Sequence, residues 1–138
     1  MSGPTIPDDL DARAATVRAR AYAPYSKFHV GAAIRMSGRI FEGVNVENAS
    51  YPLSVCAERN AIAAAIAAGA TELEAVAVCT SASPPSSPCG GCRQVLAEFV
   101  RDPPAGIVTA TTPPGERRSW TVAQLLPDGF SGRELPGS

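Results

Sequence analysis

Cys56-Ala57-Glu58-Arg59, followed downstream by Pro88-Cys89-Gly90-Gly91-Cys92, brings three cysteines and one carboxylate into a pattern that decides how the chain is read. Three thiolate ligands leave the fourth position of a tetrahedral zinc open for water, the layout of a catalytic metal site. Glu58 lies two residues past the first cysteine and has no ligand spacing of its own, so it is placed to move protons and not to hold metal. Both segments read as helix starts. A helical, Ala-rich run extends from Cys56 to Ala68, with Ile62 and Ile66 four apart and Gly69 to terminate it, and a second helix runs from Cys89 to about Arg101. At a helix start, unpaired backbone NH groups and the helix dipole favour thiolate over thiol, which lowers the cost of assembling three sulfurs.

The competing reading of the cysteines is a closed structural zinc site with Cys79 as the fourth ligand. Cys79 sits in an apolar strand with no spacing partner, and a small buried hydrophobe is the expected role. Three thiolates overcompensate a divalent ion and make its water less acidic, so a group that withdraws charge is needed. Arg59 is the candidate, donating hydrogen bonds to one or two ligand sulfurs; otherwise it is an ordinary surface arginine.

Outward from this centre, residues 8 to about 21 read as a helix: Asp8 can cap it, Leu10, Ala14, Val17 and Ala21 recur at helical spacing, and Pro24 ends it. Phe28 to Met36 and Arg39 to Val44 read as a hairpin around Ser37-Gly38, with Val30, Ala32 and Ile34 on one face. A polar loop follows from Asn45 to Val55. Asn45 and Glu47 lie two apart in it, so in an extended segment both side chains point the same way. His29, the single histidine, points opposite to Phe28 and is expected to be structural. Leu73 to Thr80 suits a central strand buried on both faces. Residues 81–88 are a Ser/Pro-rich loop whose part in the site the sequence leaves open. Ile107 to Thr111 and Arg117 to Thr121 are short strands around Pro113-Pro114-Gly115, and a helical turn begins at Val122. The order α-β-β-α-β-α-β-β predicts a layered α/β domain with a mixed sheet and helices on its faces.

A chain of 138 residues is expected to be one domain, 1–138, with flexible tails at 1–7 and 131–138. At 45% hydrophobic and 18% charged it reads as an ordinary globular sequence. No run approaches the roughly 18 apolar residues of a membrane span, and the start lacks the basic-then-apolar order of a signal peptide. The expected compartment is the cytosol, where cysteines stay reduced. A net charge of −1, with Arg117-Arg118 the densest basic spot, leaves no footprint for a polyanion.

Cys56 to Ile62 and Pro88 to Leu96 resemble the zinc nucleoside deaminases. Two further segments, Ala23-Pro24-Tyr25-Ser26-Lys27-Phe28-His29-Val30-Gly31-Ala32-Ala33 and Asn45-Val46-Glu47-Asn48-Ala49-Ser50-Tyr51, narrow the resemblance to the cytidine deaminases. It runs from about Tyr22 to Phe130. The resemblance implies a three-layer α/β/α fold with a mixed five-stranded sheet and one zinc per chain held by Cys56, Cys89 and Cys92. It implies hydrolytic deamination of cytidine and deoxycytidine in pyrimidine salvage, with Glu58 as the proton shuttle. Phe28, Asn45, Glu47 and Ala57 would contact the nucleoside, Asn45 and Glu47 through the ribose hydroxyls. It further implies a homotetramer in which neighbours contribute Ala49, Tyr51 and Phe130. Three rivals stand beside it: a deaminase of a cytosine-containing antibiotic such as blasticidin S, a non-catalytic zinc-stabilised binding module, and a polynucleotide editor. The whole ribose pattern at 45–51 argues against the first, and the charge balance against the last.

Overall fold

In the computed structural model, which describes residues 8–101 and 106–137, the apolar run Leu73–Cys79 forms the middle strand, β3, of a five-stranded sheet. All of its residues except Glu74 are buried, as a strand covered on both faces requires. In chain order the strands are β1 (Gly31–Met36), β2 (Arg39–Val44), β3, β4 (Ile107–Thr111) and β5 (Arg117–Thr121), and the sheet order is β2-β1-β3-β4-β5. β3 and β4 run parallel and every other pair antiparallel, so the sheet is mixed. A parallel pair needs a crossover. Here it is the 80–89 loop followed by helix α3 (Gly90–Phe99).

The alternation of β1 sorts the core into two layers. Ala32, Ile34 and Met36 pack with helix α2 (Ala57–Ala67), with Leu96 of α3 and with Leu125 of α4 (Val122–Leu125). Ala33 turns the other way and meets Leu10 and Ala14 of α1 (Asp8–Val17), together with Ala75, Ala77 and Cys79. The result is the expected three-layer α/β/α arrangement. One glycine fixes how close α2 comes: a Cβ at Gly43 would stand 2.4 Å from the Ala57 carbonyl oxygen and 2.5 Å from the Ala61 nitrogen. Any side chain on β2 there would push away the first turn of α2, which carries Glu58.

Element boundaries differ from the sequence expectation in three places. The first helix becomes 3-10 at Arg18–Arg20 and the chain leaves it at Ala21, before Pro24. β1 begins at Gly31 and not Phe28, because Lys27 takes a positive φ of 62° and the Asn45 amide, not a strand, pairs with the backbone of Phe28 and Val30. α3 ends at Phe99, short of Arg101. The expected tail at 1–7 lies outside the described residues. At the other end, Ser131 caps a 3-10 turn at Gly132–Glu134. Among the described residues no helix is long and apolar enough to cross a membrane.

Candidate active site and metal centre

Cys56 and Cys89 are the N-cap residues of α2 and α3, and Cys92 lies in the first turn of α3. Neither N-cap side chain is spent on capping its own helix, so the sulfurs are free to face one another. Cys56 Sγ and Cys89 Sγ are 3.9 Å apart, and all three sulfurs lie within 4.8 Å of one another. Two ligands of a tetrahedral zinc with Zn–S bonds near 2.3 Å stand about 3.8 Å apart, so this donor set fits zinc. Cys79 is buried with α1 on the opposite face of the sheet and takes no part.

The electrostatics favour a metal. A hydrogen bond from Cys92, and after it Arg59, hold the Cys56 thiol down at about 5. Cys92 is pushed up, chiefly because it donates to Cys56 and is buried. A cluster that already carries thiolate charge and must hold a proton to tolerate itself is relieved by a cation. Arg59 Nη2 donates to Cys56 Sγ at 3.8 Å, so the expected contact reaches one ligand sulfur, while its buried Nε has no partner.

Glu58 stands in the first turn of α2 with 5% of its surface exposed. Burial, and then the Cys56 thiolate, push its carboxyl up to about 7, against the pull of its own backbone NH. A carboxyl poised near neutrality can both accept and return a proton.

These groups open into a cavity of about 470 Å³ at the carboxyl end of β3, lined by Phe28, Asn45, Cys56, Ala57, Glu58, Cys89 and Cys92 among others. Ligands in open α/β sheets favour this end of the strands. A cavity of about 510 Å³ between the end of α3, α4 and Phe130 contains none of the thiols and not Glu58, so the chemistry belongs to the former.

The polar loop is used differently from the simple expectation. Asn45 Oδ1 accepts from the Val30 NH and Asn45 Nδ2 donates to the Phe28 carbonyl, both at 2.8 Å. Glu47 accepts from the NH groups of Tyr25 and Ser26 and from the Ser26 hydroxyl, which holds its carboxyl below the usual range. The Ser26 hydroxyl in turn accepts from the Phe28 NH at 3.0 Å. Both side chains therefore also staple the 25–30 segment that presents Phe28. Of the two, Asn45 lines the cavity and Glu47 does not. Ala49, Tyr51 and Phe130 lie outside it as well; Tyr51, edge-on to Tyr25, is 71% exposed and Phe130 58%. His29 stays outside the thiol cluster, its Nδ1 3.1 Å from the Lys27 carbonyl.

Sequence reasoning missed the far wall. Ser86, Ser87 and Pro88 line the cavity, and the loop that carries them is pinned rather than loose. Thr80 Oγ1 accepts from the Ala82 NH, Ser83 donates to Glu116 at 2.6 Å, and Arg93 Nη2 donates to Ser87 Oγ at 2.7 Å. The available signal was that Ser and Pro are residues of ordered turns as well as of linkers.

The family model described as "Cytidine and deoxycytidylate deaminase zinc-binding region" matches residues 7–104. The cytidine deaminase of Sporosarcina psychrophila is 43% identical over 129 residues, 93% of each chain. The crystal structure of cytidine deaminase from Burkholderia pseudomallei superposes with a TM-score of 0.84 at 43% identity, covering 91% of this chain and 100% of the other. That of the Mycobacterium leprae cytidine deaminase gives 0.73 at 45% identity, covering 88% and 97%. With the fold, the thiol triad and the buried carboxylate in place, the chain belongs to the zinc-binding cytidine and deoxycytidylate deaminase family.

Proposed function

We propose that this chain catalyses zinc-dependent hydrolysis of cytidine and 2′-deoxycytidine to uridine and 2′-deoxyuridine, releasing ammonia, in pyrimidine salvage. The observation that carries the reading is the buried Glu58 beside three convergent thiols in one nucleoside-sized cavity. Cys56, Cys89 and Cys92 would hold one zinc, which when bound supplies a water acidic enough to attack at neutral pH. Glu58 takes the proton released by the attacking water, gives it to the pyrimidine ring nitrogen, and then carries the remaining proton of the new C4 hydroxyl to the amine, so that the C4–N bond breaks, the carbonyl forms and ammonia leaves. Burial suits it for this, since the carboxyl gains and loses a proton near pH 7 at little cost. Phe28 packs on the nucleoside, Ala57 borders the base, and Asn45 and Glu47 take the ribose hydroxyls. Arg59, bonded to Cys56, draws charge from the ligand sulfurs.

The test is the ultraviolet absorbance of cytidine with purified protein. The band should shift to that of uridine, stop after treatment with a chelator, and resume on adding zinc. Unchanged cytidine with zinc-loaded protein would overturn the reading. Four free cysteines suit the cytosol, where thiols stay reduced.

The active unit is a homotetramer in this reading. The cavity is open, and covering it strengthens every electrostatic interaction inside. Tyr22, Tyr25, Phe28, Tyr51, Leu53 and Phe130 are all exposed apolar residues, surface that a second copy would cover. Ala49, Tyr51 and Phe130 then act on a neighbour's site. Mixing inactive Glu58→Gln subunits with inactive Phe130→Ala subunits, under conditions of exchange, should restore activity. No recovery despite verified exchange would mean that each chain completes its own site.

A further inference from the structure

Arg93 and Gln94 follow Cys92 directly on α3; Arg93 also borders the cavity, yet neither side chain moves a proton or holds the metal. Successive residues of a helix turn by about 100°. With Cys92 and Leu96 buried beneath α3, the next positions project sideways, over the 80–89 loop and toward the C-terminal segment. The Arg93 guanidinium is engaged on three sides: Nε donates to the Pro88 carbonyl at 2.8 Å, Nη2 to Ser87 Oγ at 2.7 Å and Nη1 to the Leu125 carbonyl at 2.9 Å. All three acceptors are neutral oxygens, so these bonds fix direction rather than cancel charge. Gln94 Nε2 donates to the Phe130 carbonyl at 2.9 Å.

We infer that Arg93 and Gln94 are positioning residues for the two halves of the site. Pro88 precedes Cys89, and Arg93 follows Cys92. One side chain therefore spans both cysteines of α3 and holds the peptide that aims the Cys89 sulfur, reinforcing the backbone bond from the Arg93 NH to the Cys89 carbonyl at 2.9 Å. The same guanidinium grips the end of α4 through Leu125, and Gln94 grips the chain again at Phe130. Residues 125–130 are thus registered against the ligand loop at two points. A lysine keeps the charge of Arg93 but has no planar fork and cannot make three bonds in these fixed directions.

The inference rests on the zinc-ligand reading, and the experiment separates the two. Zinc release from purified holoenzyme to a chromogenic chelator is timed for wild type, Arg93→Lys, Ser87→Ala, Gln94→Met and Cys89→Ala, with kcat and KM measured for cytidine. Arg93→Lys should release zinc roughly 10–100-fold faster, the usual cost of losing a group that orients a ligand, and lose kcat with little change in KM. Ser87→Ala removes one of the three bonds without disturbing the fold and should shift release in the same direction by less. Gln94→Met should release zinc at the wild-type rate and raise KM, because only Phe130 is freed. Wild-type release in both Arg93→Lys and Ser87→Ala overturns the inference, as does Gln94→Met matching Arg93→Lys. Cys89→Ala that keeps its zinc overturns the ligand set itself.

Discussion

Glu58→Gln should retain one zinc per chain and lose turnover by at least the roughly 10²–10⁴-fold that a general acid/base contributes. The substitution is close to isosteric, so the first turn of α2, packed against Gly43, has no reason to move. What changes is proton traffic. The carboxyl is buried and pushed up to about 7, where it can be base and acid in one cycle; an amide has no accessible protonation change. Because Glu58 is not among the three thiol donors, metal content should not follow activity. Metal analysis together with the cytidine absorbance assay reads both quantities. Near-normal turnover would remove Glu58 from the chemistry and favour a zinc-stabilised binding module.

The fold and the metal cluster were legible because both are written in strong local patterns. The apolar run 73–79 is buried on both faces, and the cysteines sit where two helices start, so the tertiary arrangement only had to bring those starts together. Arg59 was legible from charge balance alone, and it does reach Cys56. What stayed hidden depends on single side-chain hydrogen bonds, several of them spanning 15 or more positions. Asn45 delays the start of β1 to Gly31 by taking the backbone bonds of Phe28 and Val30, and no periodicity in 28–36 signals it. Arg93 likewise owes its place to carbonyls at Pro88 and Leu125, and a carbonyl is offered by every residue type. The sequence leaves the part of loop 81–88 in the site open, whereas its bonds to Glu116 and Arg93 make it a wall of the cavity.

Cys89→Ala should abolish zinc binding and activity together, whereas Cys79→Ala should leave both intact. The two cysteines differ in almost every physical respect. Cys89 is exposed at a helix start with its sulfur 3.9 Å from that of Cys56; Cys79 is 1% exposed on β3, packed against Leu10 and Ala14 across the sheet from the cluster. Removing Cys89 leaves two sulfurs and no tetrahedral set. It also leaves the Cys56 thiolate and buried Glu58 with Arg59 as the cation beside them and no metal; burial, and after it the thiolate, already raise the Glu58 carboxyl. Cys79→Ala removes only one buried sulfur, and its cost is a small cavity, on the order of 1 kcal/mol of stability. Metal content, cytidine turnover and thermal unfolding of both variants, side by side, make the comparison. Full zinc in Cys89→Ala, or loss of zinc in a folded Cys79→Ala, would mean that the ligand set is wrong.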